Sequence, residues 1–110
     1  MAYDEQLAIR VRSVLARKKN IEEKKMFGGV AFLLNGRMLV GVWKEFLIAR
    51  LGPEQGEHAL REPYVQPFDI TGKPMRNWVM VGPEALEGDD DLTKWIDRSM
   101  RFVKTLPKKK

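Results

Sequence analysis

Cysteine is absent from this sequence of 110 residues. Its absence removes disulfides, thiolate nucleophiles and cysteine-ligated metals together, and it suits a reducing compartment. Histidine occurs once, at His58, so no second imidazole is available to build a metal site. A long apolar run is also missing. The longest apolar stretch, Met26 to Val42, is interrupted by Gly28, Gly29, Asn35, Gly36 and Arg37, and it cannot span a membrane. The first ten residues hold Asp4 and Glu5 and no apolar run, so no signal peptide is expected. The expectation is a cytoplasmic protein with no membrane contact.

What is present fits one globular domain. The chain is 44% hydrophobic and 32% charged, enough apolar material to exclude wholesale disorder. A chain of this length buries roughly 60–70% of the surface it exposes when unfolded, which supports one modest core. No repeat or linker divides it. The expected domain runs over 1–107, followed by a disordered basic tail at 108–110.

The net charge is +5, and Lys108, Lys109 and Lys110 supply three of those charges. The rest is polarised. Arg10, Arg12, Arg17, Lys18, Lys19, Lys24 and Lys25 crowd one segment, while Glu84, Glu87, Asp89, Asp90, Asp91 and Asp97 crowd another. Such asymmetry guides a charged partner, or one copy of the chain to another.

Asp4 is placed to cap a first helix from Glu5 to Lys18, with Leu7, Val11, Val14 and Leu15 on one face. Lys24 to Leu34 reads as one strand, with Gly28-Gly29 as a bulge inside it. Asn35-Gly36 favours positive φ at both turn positions and predicts a two-residue hairpin between Leu34 and Arg37. Arg37 to Trp43 returns, Lys44-Glu45 turns again, and Phe46 to Leu51 follows as a third strand. Gly52-Pro53 opens a second helix to about Glu62. Tyr64 to Ile70 contains Pro67 and predicts an edge strand, and Asn77 to Val81 a fifth strand. A third helix follows to about Leu106, capped by Asp89, Asp90 or Asp91, with Leu92, Trp95, Ile96, Ser99 and Val103 buried. The order α-β-β-β-α-β-β-α predicts an α+β fold: two layers, a mainly antiparallel five-stranded sheet and three helices.

Several constellations invite a chemical reading, and each has a plainer one. His58 and Glu62 are four apart on the second helix, but two ligands make a weak metal site. The aspartate run at 89–91 lacks the alternating spacing of a calcium loop and serves helix capping. Ser13 and Ser99 lie inside predicted helices, with no strand-to-helix elbow around them. Neither a catalytic group, a cofactor nor a metal is expected. The basic cluster from Arg10 to Lys25 is a candidate nucleic-acid patch, without a helix-turn-helix or RNA-recognition signature beside it.

Lys25-Met26-Phe27-Gly28-Gly29-Val30-Ala31-Phe32, Asn35-Gly36-Arg37-Met38 and Arg50-Leu51-Gly52 form a fairly specific combination with Gly72-Lys73-Pro74-Met75 and Trp78-Val79. With Trp95-Ile96 in the closing helix, it resembles the N-terminal domain of the TfoX (Sxy) competence regulators, over about Asp4 to Pro107. The resemblance implies a secretion-chaperone-like two-layer fold and kinship with regulators that act on transcription, with no enzymatic activity. Full-length regulators add a C-terminal domain resembling helix-hairpin-helix modules, and a stand-alone N-terminal domain is expected here. The expected function is therefore a non-enzymatic regulatory protein-interaction module. The alternative is a weak, sequence-independent nucleic-acid binder using the basic patch. The family motif Met26, Phe27, Gly28 and Gly29 is read as structural, with a backbone surface for a ligand as the other reading. A homodimer is expected as well, with Val40, Val42 and Trp43 as the contact.

Overall fold

The computed structural model describes residues 3–26, 28–68 and 77–106. Helix α1 spans Glu5–Leu15. Asp4 caps it as its position predicts, accepting from the backbone N–H groups of Gln6 at 2.9 Å and Leu7 at 3.2 Å. Leu7, Ala8, Val11 and Leu15 are its buried stripe. The helix ends three residues earlier than its sequence predicts. The N–H groups of Ala16 and Lys18 tighten onto Ser13 and Leu15, and Asn20 then turns the chain with φ 64°.

The strand expected from Lys24 to Leu34 is instead two strands, β1 (Ile21–Met26) and β2 (Gly29–Leu34). Met26 pairs with Gly29 across the reversal, and Gly28 sits between them at φ 77°. Glycine at this position supplies a left-handed turn rather than a bulge. Strand β3 (Arg37–Trp43) follows a hairpin in which Leu34 pairs with Arg37, with Asn35 at φ 53° and Gly36 at φ 79°. A true bulge falls opposite. Phe32 pairs with Val40 and Leu33 with Met38, so Leu39 is the extra residue, and its side chain is fully buried.

Trp43 pairs with Phe46 at the next turn, which opens β4 (Phe46–Arg50). Helix α2 is short, Gly52–Ala59. Strand β5 (Val65–Pro67) is an edge, as Pro67 predicts, and β6 (Trp78–Val81) lies between β4 and β5. The sheet is therefore six-stranded and antiparallel throughout, in the order β1-β2-β3-β4-β6-β5. Helix α3 (Asp89–Val103) begins at Gly88, which makes no side-chain cap. The three aspartates expected to cap it occupy its first turn instead, where they face the positive end of the helix dipole.

The helices pack on one face of the sheet: α3 on β3 and β4, α2 on β6, and α1 on β3 and α3. Val30, Phe32, Leu34, Val40, Val42, Leu47, Ala49, Val79 and Val81 line that face and form one core with Leu7, Val11, Leu92, Ile96 and Val103. Each of these side chains larger than alanine stabilises the fold by about 1.5–3 kcal/mol relative to exposure. Ala31, Ile48 and Met80 alternate with them and are buried on the opposite face. Among the described residues no helix is long and apolar enough to cross a membrane.

Candidate anion-binding cleft

A cleft of about 410 Å³ opens between the start of α2 and the last turns of α3. Its shape begins with Gly52, which takes φ 86°. A Cβ on Gly52 would lie 2.5 Å from the Phe102 ring, so only glycine lets α2 start against that ring. The N–H groups of Leu51 and Gly52 both donate to the Asn77 carbonyl, at 2.7 and 3.1 Å, which ties α2 to the start of β6. No side chain caps this end of α2.

Arg98 and Arg101 project into the cleft from successive turns of α3, and Leu51, Pro53 and Phe102 supply apolar wall. Arg98 donates to Glu62 at 2.9 Å, and its guanidinium lies 4.4 Å from the Trp95 ring centroid. Arg101 is exposed and has no ion pair among the described residues. Glu54 also lines the cleft. Behind Phe102 stands Arg50, with its guanidinium carbon 5.8 Å from that ring and 5.3 Å from the Trp78 ring. Its Nη1 donates weakly to the Met38 carbonyl at 3.4 Å, and its buried Nε has no acceptor among the described residues. Burial, and then the charge of Arg37, push the Arg50 guanidinium below its ordinary pKa. Two arginines of α3 thus line the cleft, and one from β4 lies against its Phe102 ring.

The basic patch read from the sequence does not gather in this way. Arg10 donates through Nη2 to the Leu86 carbonyl at 2.6 Å and reaches Asp89 at 3.4 Å, which fastens α1 to the entry of α3. Arg12 grips Glu23 on β1, from Nε to Oε1 at 2.8 Å and from Nη2 to Oε2 at 2.7 Å. Arg17, Lys18 and Lys19 are exposed beyond the end of α1. Lys24 and Lys25 are exposed too, but they are neighbours on a strand and point to opposite faces of the sheet. Two of the seven cations are thus internal fasteners, and the rest face several directions.

The expected contact at Val40, Val42 and Trp43 is also redistributed. Val40 and Val42 point into the core, at 0% and 1% exposure, and neither is a surface contact. Their register puts them on the face that the helices cover. Trp43 is half-buried, with the Lys44 ammonium 4.6 Å from its ring, and it pairs with the half-buried Phe46. The sequence reading missed Phe46, although its place opposite Trp43 across a two-residue turn was a usable signal. The cleft was missed as well. Arg98, Arg101 and Phe102 share one side of α3, but nothing in their spacing says that Gly52 lies against them.

In the glycine pair of the family motif, Gly28 makes the turn, and a Cβ on Gly29 would overlap the Val42 carbonyl oxygen. Phe27, the Met26 side chain, the 72–75 segment and the terminal lysines lie outside the described residues. His58 is exposed on α2, and its sequence neighbour Glu62 is committed to Arg98. Among the described residues no group of three or more histidine, aspartate or glutamate side chains could hold a metal ion.

Fold and cleft together define a two-layer α+β domain: an open antiparallel sheet, helices on one face, and an arginine-lined pocket where two of them meet. The family model of the TfoX N-terminal domain matches residues 13–103, and the chain belongs to that family. No curated protein and no solved structure matches it.

Proposed function

We propose that this chain is a non-enzymatic regulatory module that works in the cytoplasm by binding a protein partner, in the manner implied for transcription-linked regulators of competence. The observation that carries this reading is the family match over 13–103, which takes in every strand and helices α2 and α3. The contact we assign to the partner is the Trp43–Phe46 pair at the tip of the β3–β4 hairpin. Large, half-exposed aromatics on a rigid element supply most of the binding energy in many interfaces. The tip is rigid because the Asp4 N–H donates to the Lys44 carbonyl at 2.7 Å, holding the turn against the start of α1. A second copy of the chain is one partner that this surface would accept.

Affinity capture from native lysate, read by mass spectrometry and run beside light scattering, tests the proposal. The wild-type chain should retain a defined partner or self-associate, and Trp43→Ala should lose that association while keeping its melting temperature within a few degrees. Identical partners for both chains would sink the assignment to Trp43. Turnover of a small metabolite by the purified chain would sink the non-enzymatic reading.

A further inference from the structure

We propose that the cleft between α2 and α3 binds a small organic carboxylate with an apolar body. This does not depend on the partner reading, because the Trp43–Phe46 tip and the cleft share no residue. Three features converge. The volume, about 410 Å³, is that of a small-molecule pocket, and such pockets run from about 300 to 1,000 Å³. Pro53 and Phe102 give it accessible apolar wall, so a ligand with no apolar surface would leave that wall wet. The charge around it is unbalanced. Arg98 and Arg101 line it against Glu54, and of the two arginines only Arg101 makes no ion pair among the described residues.

One guanidinium left without an ion pair selects a monoanion. Arg98 is held by Glu62, so the group offered to a ligand is Arg101, whose forked donors match the two oxygens of one carboxylate. A phosphate dianion would bring more negative charge than one guanidinium matches, next to Glu54. An aromatic or branched aliphatic body would lie along Phe102 and Pro53, with Arg50 reinforcing the field from behind the ring.

The test uses the whole chain, labelled with ¹⁵N, and three probes of defined chemistry. Benzoate supplies carboxylate and ring, benzamide the ring without charge, and inorganic phosphate the charge without a ring. Benzoate should shift the amide signals of Gly52, Glu54, Gln55 and Phe102, and bind at least tenfold more tightly than either other probe. Arg101→Ala should weaken benzoate at least tenfold, and Arg101→Lys by less. Arg101 is exposed, so both variants should keep the wild-type circular dichroism. The comparison of the three probes on the wild-type chain stands even if a variant does not fold. Equal binding of benzamide or phosphate, shifts that map elsewhere, no shift at all, or undiminished binding by a folded Arg101→Ala would each overturn the proposal.

Discussion

Arg12 and Glu23 lie on different layers of the molecule, one on α1 and one on β1, and meet through two parallel hydrogen bonds of 2.8 and 2.7 Å. This fork is a specific tie between α1 and the edge strand. The bond to Arg12 is the first cause that holds the Glu23 carboxyl below its usual pKa, and it raises that of Arg12. A carboxylate whose pKa is depressed in the folded state stabilises the fold above the ordinary carboxylate range. That contribution is lost as pH falls through the folded value. The Arg12 and Glu23 side chains are 51% and 35% exposed, so solvent screens the pair. Glu23→Gln should therefore cost only about 0.5 kcal/mol at neutral pH. The gap to wild type should shrink as the pH of the melts is lowered into the acid range, and narrow in high salt. A gap that persists in acid would assign the loss to packing.

Gly52→Ala is expected to destabilise the chain by about 2–3 kcal/mol in urea denaturation, through two separable causes. One is the positive φ, and the other is overlap with the Phe102 ring. Adding Phe102→Leu should recover part of the loss, because it relieves the overlap and leaves the backbone cost. A strictly additive double mutant would show that the two residues do not press on each other.

Gly29→Ala should also destabilise, by about 2 kcal/mol, because its new methyl would meet backbone that cannot rotate away. Gly88→Ala is the control. The nearest atom to a Cβ there is Asp91 Oδ2, at 3.1 Å, on an exposed side chain that can swing aside. Comparable losses in the two variants would remove the close-approach explanation for the motif's second glycine.

Nucleic-acid binding, if measured, should be weak, indifferent to sequence and lost at moderate salt. Arg10 and Arg12 are engaged within the fold, which leaves Arg17, Lys18 and Lys19 as the compact exposed group. Contact with roughly three phosphates predicts a fall in affinity of one to two powers of ten between about 50 and 200 mM salt. Fluorescence anisotropy on specific and scrambled duplexes at two salt concentrations would show it, and Arg12→Ala should change little. Salt-resistant binding that prefers one duplex would contradict this picture.

The parts of the fold legible in the sequence were those where one residue type has one physical use. Asn35-Gly36 fixed its hairpin through positive φ, Asp4 capped α1, and the apolar spacing of Leu92, Trp95, Ile96, Ser99 and Val103 named the buried face of α3. The second half of strand β1 was read as the start of β2 and its first half was missed, because Glu22, Glu23, Lys24 and Lys25 show no apolar alternation. Its ladder to β2 and the grip of Arg12 on Glu23 keep it in the sheet. Much of the candidate site was illegible for a different reason. Gly52 and Arg50 are brought against Phe102 by tertiary packing, and no local pattern records which glycine will face which ring.

The place of β6 between β4 and β5 bears on how quickly the sheet can assemble. From Ile21 to Arg50 the strands are consecutive neighbours joined by tight turns, so each ladder can zip up from its own hairpin. The β4–β6 ladder cannot. It must close the whole stretch that carries α2 and β5, and each doubling of such a loop costs about 0.6 kcal/mol of chain entropy. The meander is therefore expected to form first, with the α2–β5–β6 half condensing onto the edge strand β4. Until β6 arrives, Leu47, Ile48 and Ala49 stand along an open strand. In a partly folded chain that exposed apolar edge is the place where two copies would join wrongly.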